Sequence, residues 1–117
     1  MLISTHTALR NKIGYEKNIE LLKKAGFTAF DLGLDGPNDI IIESRFNGDD
    51  YREQAYKLRE FADSIGLPCN QSHAPYPSHV EQVNSYFERA LECTAEAGGK
   101  ICIIHPMCFA TVEENAE

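Results

Sequence analysis

The chain has 117 residues, enough for one small domain, and its 43% of hydrophobic and 25% of charged residues are ordinary for a globular protein. A formal net charge of −7 argues against a nucleic-acid-binding surface, and the four cysteines lack the C-x-x-C spacing of zinc-ribbon proteins. No apolar run reaches the length of a membrane span, and the N-terminus has no signal-peptide pattern. These properties favour a cytoplasmic protein that handles small molecules, with neither a membrane nor a nucleic acid as its partner.

Strands and helices are predicted to alternate along the chain. Short apolar runs predict the strands, and stretches with one apolar face that end at a glycine predict the helices. The predicted elements, in chain order, are a strand over 2–6, a helix around 18–25, a strand over 27–34, a helix over 51–65, a strand over 69–72, a helix over 79–97 and a strand over 101–104. The apolar stripe of the third helix is predicted to include Leu91. Capping-box patterns start at Asp50, Ser78 and Thr111, and the last of them predicts a fourth helix.

This alternation predicts an α/β fold with parallel strands and helices that cover the sheet. Two architectures fit the order of elements. One is a small, complete, four-stranded doubly wound α/β domain, and the other is the first half of a (β/α)8 TIM barrel, which normally needs about 250 residues. The capping box at Thr111 announces a helix just before the chain stops, and it favours the second architecture. We therefore expect residues 1–117 to be a single partial barrel domain, truncated after its fourth strand.

Every predicted strand carries an ionisable or metal-binding side chain at or near its end. These side chains belong to His6, Asp31, His73 and His105. Ligands bind at the carboxyl ends of parallel strands in both architectures, so all four residues are candidate substrate-binding residues. A single histidine at a strand end is more often a hydrogen-bonded turn residue, but His73 and His105 occupy matched positions on neighbouring strands.

The chemistry of these side chains also suits a divalent metal. Imidazole and carboxylate groups are common ligands of such ions, although two histidines and one aspartate make an incomplete site. The alternation of a strand further predicts that Cys69 and Gln71 share the face of His73. Nucleotide-binding and hydrolase motifs such as G-x-G-x-x-G, the P-loop and G-x-S-x-G are absent from the sequence, and Gly33 is interpreted as a turn glycine.

Three stretches of the chain are similar to one family of barrels. They are AGFTAFD at 25–31, GLP at 66–68 leading into SHAPY at 72–76, and AGG at 97–99 leading into IHP at 104–106. With these motifs the chain resembles the N-terminal part of sugar phosphate isomerase/epimerase-type proteins. They belong to the xylose-isomerase-like TIM barrel superfamily, which also includes endonuclease IV. The resemblance covers nearly the whole chain but only about half of a family barrel.

The resemblance implies a barrel that depends on a divalent metal (Mn, Mg, Co or Zn) and moves a proton next to a sugar carbonyl. In the isomerases it implies that His73 and His105 contact the sugar or sugar phosphate, and in the endonuclease branch that both bind zinc. The catalytic base and acid would lie in the missing half, so we expect this chain to be an inactive fragment. The alternatives are an endonuclease IV-like zinc phosphodiesterase and a non-enzymatic α/β binding module. The open sheet edges of a half barrel predict self-association.

Overall fold

The fold is described from a computed structural model that covers residues 1–34, 45–75 and 86–105. In these ranges the elements are α1 (Arg10–Ile13), α2 (Tyr15–Lys24), β1 (Phe30–Gly33), α3 (Tyr51–Ser64), β2 (Cys69–His73), α4 (Phe87–Glu96) and β3 (Cys102–Ile103). The predicted α/β character is therefore confirmed, and α1 is an additional short helix that the sequence did not predict. The predicted caps at Ser78 and Thr111, together with Cys108, lie outside the described residues. None of the described helices is long and apolar enough to cross a membrane.

The described strands form one parallel sheet in the order β1-β2-β3. The predicted first strand is not a regular strand, but residues 2–6 run beside β1. His6 makes a parallel bridge with Asp31, and the carbonyl groups of Ile3 and Thr5 accept hydrogen bonds from Thr28 N at 2.9 Å and from Asp31 N at 2.9 Å. The N-terminal segment thus extends the sheet by one further parallel segment.

The helices α2 and α3 match their predicted positions, and both end at the predicted glycines. Gly26 and Gly66 have φ of +95° and +71°, the left-handed conformation that glycine adopts more readily than any other residue. The predicted capping box of α3 is wrong. Asp50 is the N-cap residue but makes no side-chain capping bond, because its carboxylate accepts a hydrogen bond from the Gln54 side chain at 2.7 Å.

One hydrophobic core lies between the sheet and the helices. Its largest fully buried apolar side chains come from β1, α2, α3 and the loop segments before α3 and β2, and they are Phe30, Phe46, Ile19, Leu32, Leu58 and Leu67. Helix α4 contributes Ala90 and Cys93 to the same core. The predicted position of Leu91 in this apolar stripe is wrong, since its side chain is 53% exposed. The helical period places Thr94, rather than Leu91, next to Ala90 on the buried face.

Candidate functional site

The two sides of β1 differ in chemistry. Phe30 and Leu32 are fully buried in the core with the helices. The alternation of the strand turns Asp31 and Gly33 to the opposite side of the sheet. In the parallel register, Asp31 lies opposite Gln71, and Gly33 lies opposite His73. A polar site is thus formed at the carboxyl end of the sheet, on the side away from the core.

The structure brings together all four side chains that the sequence singled out. The rings of His6 and His73 meet edge to face with 4.8 Å between their centroids. The rings of His73 and His105 are stacked with 6.3 Å between centroids, and His73 Nε2 lies 3.9 Å from Asp31 Oδ2. We call these four residues the rim cluster. It forms because parallel neighbouring strands all end at the same edge of the sheet.

A β-bulge in β2 shapes the floor of the rim cluster. The register changes from Phe30 opposite Cys69 to Asp31 opposite Gln71, so Asn70 is an additional residue in β2. As a result, the Asn70 and Gln71 side-chain amides both donate to the Asp31 carboxylate, at 3.4 and 3.0 Å. Bulges often redirect side chains in this way beside functional sites.

The same bulge corrects one sequence-based prediction. Cys69 was expected on the face of His73, but it lies in the hydrophobic core instead. Gln71 does share the face of His73, as predicted. The inserted Asn70 reverses the alternation, and a regular strand pattern cannot reveal such an insertion.

Asp31 is held firmly at the centre of this arrangement. It is 6% exposed, and its backbone N–H and carbonyl groups are bonded to Thr5 and Thr7 of the N-terminal segment. Its carboxylate accepts the two amide bonds from the bulge. The 3.9 Å separation between Asp31 Oδ2 and His73 Nε2 exceeds a hydrogen bond, so the two groups are neighbours without a direct proton-transfer contact.

Three residues that the sequence analysis did not select surround Gly33. The Gly33 N–H group donates to Thr7 Oγ1 at 3.0 Å, and the Tyr15 hydroxyl donates to the Gly33 carbonyl at 2.6 Å. Arg10 donates from its guanidinium to the Thr7 carbonyl at 3.0 Å. Gly33 is thus a strand residue within β1, so its interpretation as a turn glycine is wrong. No sequence pattern signals this group, because Thr7, Arg10 and Tyr15 are distant from Gly33 along the chain and show no motif.

Two of the cysteines are not candidate nucleophiles. Burial raises the pKa of the Cys69 thiol from 9.0 to about 12 and that of the Cys93 thiol to about 12 as well. The thiolate is the reactive form of cysteine, and almost none of it exists at neutral pH at these two positions. Both therefore act as small apolar side chains of the core.

The rim cluster does not by itself fit a metal ion. Within residues 1–34, 45–75 and 86–105, no group of three or more histidine, cysteine, aspartate or glutamate side chains is placed to hold one. The Asp31 oxygens face amide donors, and the rings of His73 and His105 stack instead of converging on a common point. The hypothesis that His73 and His105 bind a metal thus stays a prediction that requires ligands from elsewhere.

Comparisons of the chain with family models, with curated proteins and with solved structures gave no match.

Proposed function

We propose that this chain forms the first half of a (β/α)8 barrel and that the rim cluster lines its sugar-binding pocket. The observation that carries the proposal is the convergence of His6, Asp31, His73 and His105 at the carboxyl end of consecutive parallel segments. In barrels of this type the substrate pocket lies at that end. The family resemblance of the sequence supplies the substrate class, a sugar or sugar phosphate.

The placement of the helices supports a barrel over a doubly wound sheet. Side chains from α2, α3 and α4 all join the same core as Phe30 and Leu32. The opposite side of the described sheet carries the polar groups of Asp31 and Gln71. A doubly wound sheet would need apolar side chains on both sides, whereas a barrel directs one side of its strands toward the interior.

The exposed apolar side chains at the two edges of the sheet also agree with a half barrel. Leu2 is 62% exposed at one edge, and Ile101 and Ile104 are 58% and 44% exposed at the other. Four further strands, from more polypeptide or from a second copy, would cover both edges. We therefore expect the isolated chain to self-associate, and sedimentation velocity would measure this. A monomer at all concentrations would count against the half barrel.

We assign to the described residues the binding and orientation of the sugar. The three imidazoles can donate and accept hydrogen bonds with sugar hydroxyls. Proton transfer next to the sugar carbonyl requires a base that the rim cluster does not identify. A divalent metal would likewise need ligands from outside the described residues.

Binding of sugars to the rim cluster tests this proposal. NMR spectra of the histidine ring protons would be followed while D-fructose or D-fructose 6-phosphate is added. We expect the His73 and His105 signals to shift and saturate, and His73→Ala to abolish the binding. Ser72→Ala is the matched control, because Ser72 lies next to His73 but is fully buried and bonded to Thr94 at 2.5 Å. Unchanged histidine signals with both sugars would overturn the proposal.

A further inference from the structure

Gly33 allows two side chains to approach the end of β1 unusually closely. A Cβ atom placed on Gly33 would lie 2.6 Å from His6 Nε2 and 2.7 Å from the Arg10 guanidinium. Real Cβ atoms essentially never make contacts this short. The His6 ring and the Arg10 guanidinium thus occupy the space that any larger residue at position 33 would fill.

A main-chain hydrogen bond helps to hold the Arg10 guanidinium in place. It donates to the Thr7 carbonyl, and Thr7 is itself fully buried and bonded to both Asp31 and Gly33. The Gly33 carbonyl is bonded to Tyr15 on the other side. Arg10 therefore lies beside His6 at the edge of the rim cluster. Both side chains approach Gly33, the residue opposite His73 in the sheet.

This corner of the molecule is rich in groups that bind anions. Arginine presents a planar fork of N–H donors that matches the oxygens of a phosphate or a carboxylate, and imidazole donors can add to it. His6 of the rim cluster lies beside Arg10 over Gly33, and the one carboxylate of the cluster, Asp31, already accepts two amide hydrogen bonds. Such a concentration of donors contrasts with the net charge of −7 of the whole chain.

We propose that Arg10 and His6, brought together over Gly33, bind the anionic group of the small molecule that the rim cluster accepts. The anionic group is a phosphate or a carboxylate, so the ligand is a sugar phosphate or a sugar acid rather than a neutral sugar. This inference rests on the proposed function, because it places a charged subsite in the same pocket. Arg10 is then a specificity-determining residue, and Gly33 is the residue that makes room for it.

Calorimetry with four probes tests the subsite at constant ionic strength: D-fructose, D-fructose 6-phosphate, D-glucuronate and inorganic phosphate. We expect the wild-type chain to bind one of the two anionic sugars about ten- to a hundredfold more tightly than D-fructose, the range expected for hydrogen bonds to a charged group. The anionic sugar with the lower Kd identifies the group as phosphate or carboxylate. Arg10→Gln should remove the difference and leave the affinity for D-fructose unchanged.

Two further variants sharpen the test. Lys12→Gln removes the same charge from an exposed position in α1, so it should leave all four affinities unchanged. Gly33→Ala should lower the affinity for the anionic sugar at least as much as Arg10→Gln, and it should also lower the affinity for D-fructose, because its Cβ would displace His6 as well as Arg10. Circular dichroism would check that each variant is folded.

The outcomes separate the two proposals. If D-fructose binds and depends on His73, but Arg10→Gln changes nothing, the anionic subsite is overturned and the proposed function stands. An equal effect of Lys12→Gln and Arg10→Gln would also overturn the subsite, because it would indicate long-range attraction only. If no sugar binds, the proposed function fails. Inorganic phosphate then decides about the anion site. Phosphate binding that is lost in Arg10→Gln would still support the site, and a lack of phosphate binding by the wild-type chain would overturn it.

Discussion

The two sides of the sheet contrast in how they are stabilised. On the helix side, Phe30 and Leu32 are packed among apolar side chains, where shape and volume matter and hydrogen bonding does not. On the opposite side, Asp31 and His73 depend on donors and acceptors placed by the neighbouring segments. The helix side therefore provides most of the stability, and the opposite side holds groups arranged to contact a ligand.

Phe30→Ala should have the largest effect, because it removes a fully buried aromatic ring from the helix side. We expect a loss of about 3–5 kcal/mol in the free energy of unfolding. Urea denaturation followed by circular dichroism measures it. Tyr56→Ala is the control, since Tyr56 is 48% exposed on α3 and should change the free energy by less than about 0.5 kcal/mol. Equal losses in the two variants would contradict the assigned core.

Asp31→Asn perturbs the polar contacts on the side of the sheet that faces away from the helices. Asparagine keeps one acceptor oxygen but has an NH2 group in place of the other, so one of the hydrogen bonds from Asn70 and Gln71 is lost and the other loses its charged acceptor. We expect a decrease of about 1–3 kcal/mol in the free energy of unfolding, together with altered ring-proton signals of His73. Asp63→Asn on the exposed surface of α3 is the matched control and should cost almost nothing. Unaltered His73 signals would place Asp31 outside the rim cluster.

The pH dependence of the free energy of unfolding tests the burial of the two thiols in the core. Burial raises the pKa of the Cys69 and Cys93 thiols to about 12 in the folded chain, whereas the thiols of the unfolded chain have their ordinary pKa of 9.0. The folded chain then binds more protons than the unfolded chain, so the free energy of unfolding should fall as the pH rises through that interval. Urea denaturation at pH 8 and at pH 10 would detect the decrease. Replacing both residues with alanine should remove this part of the pH dependence, and an unchanged dependence would contradict it.

The smallest effect is expected on the outer surface of the helices. Arg52 and Tyr51 of α3 donate hydrogen bonds to the Glu92 carboxylate of α4, and Arg52 is the larger cause of the lowered pKa of Glu92. A carboxyl group with a lowered pKa stabilises the fold above its unfolded pKa, and this contribution disappears as the pH falls through its folded pKa. Arg52→Gln should thus lower the urea midpoint slightly at pH 7 and leave it unchanged at pH 2. An equal decrease at both values would exclude the ion pair as the cause.

The sequence by itself determined the approximate positions of α2, α3, β1, β2 and β3, but not their bounds: β1 is Phe30–Gly33 rather than 27–34, and β3 is Cys102–Ile103 rather than 101–104. Apolar runs, glycine stops and the positions of His73 and His105 are local features, and they predicted the alternation and the meeting of polar groups at one edge. The sequence also predicted the helix ends at Gly26 and Gly66, because the left-handed conformation at the end of a helix strongly favours glycine.

The tertiary structure decided which side chains meet. The bulge at Asn70 turned Cys69 into the core and brought a second amide to Asp31, which depends on how β1 and β2 pair. The approach of Arg10 to Gly33 joins residues from separate segments, and no spacing along the chain encodes it. Local patterns report the preferences of one segment, whereas the register and the packing of distant segments are set by the free energy of the whole fold.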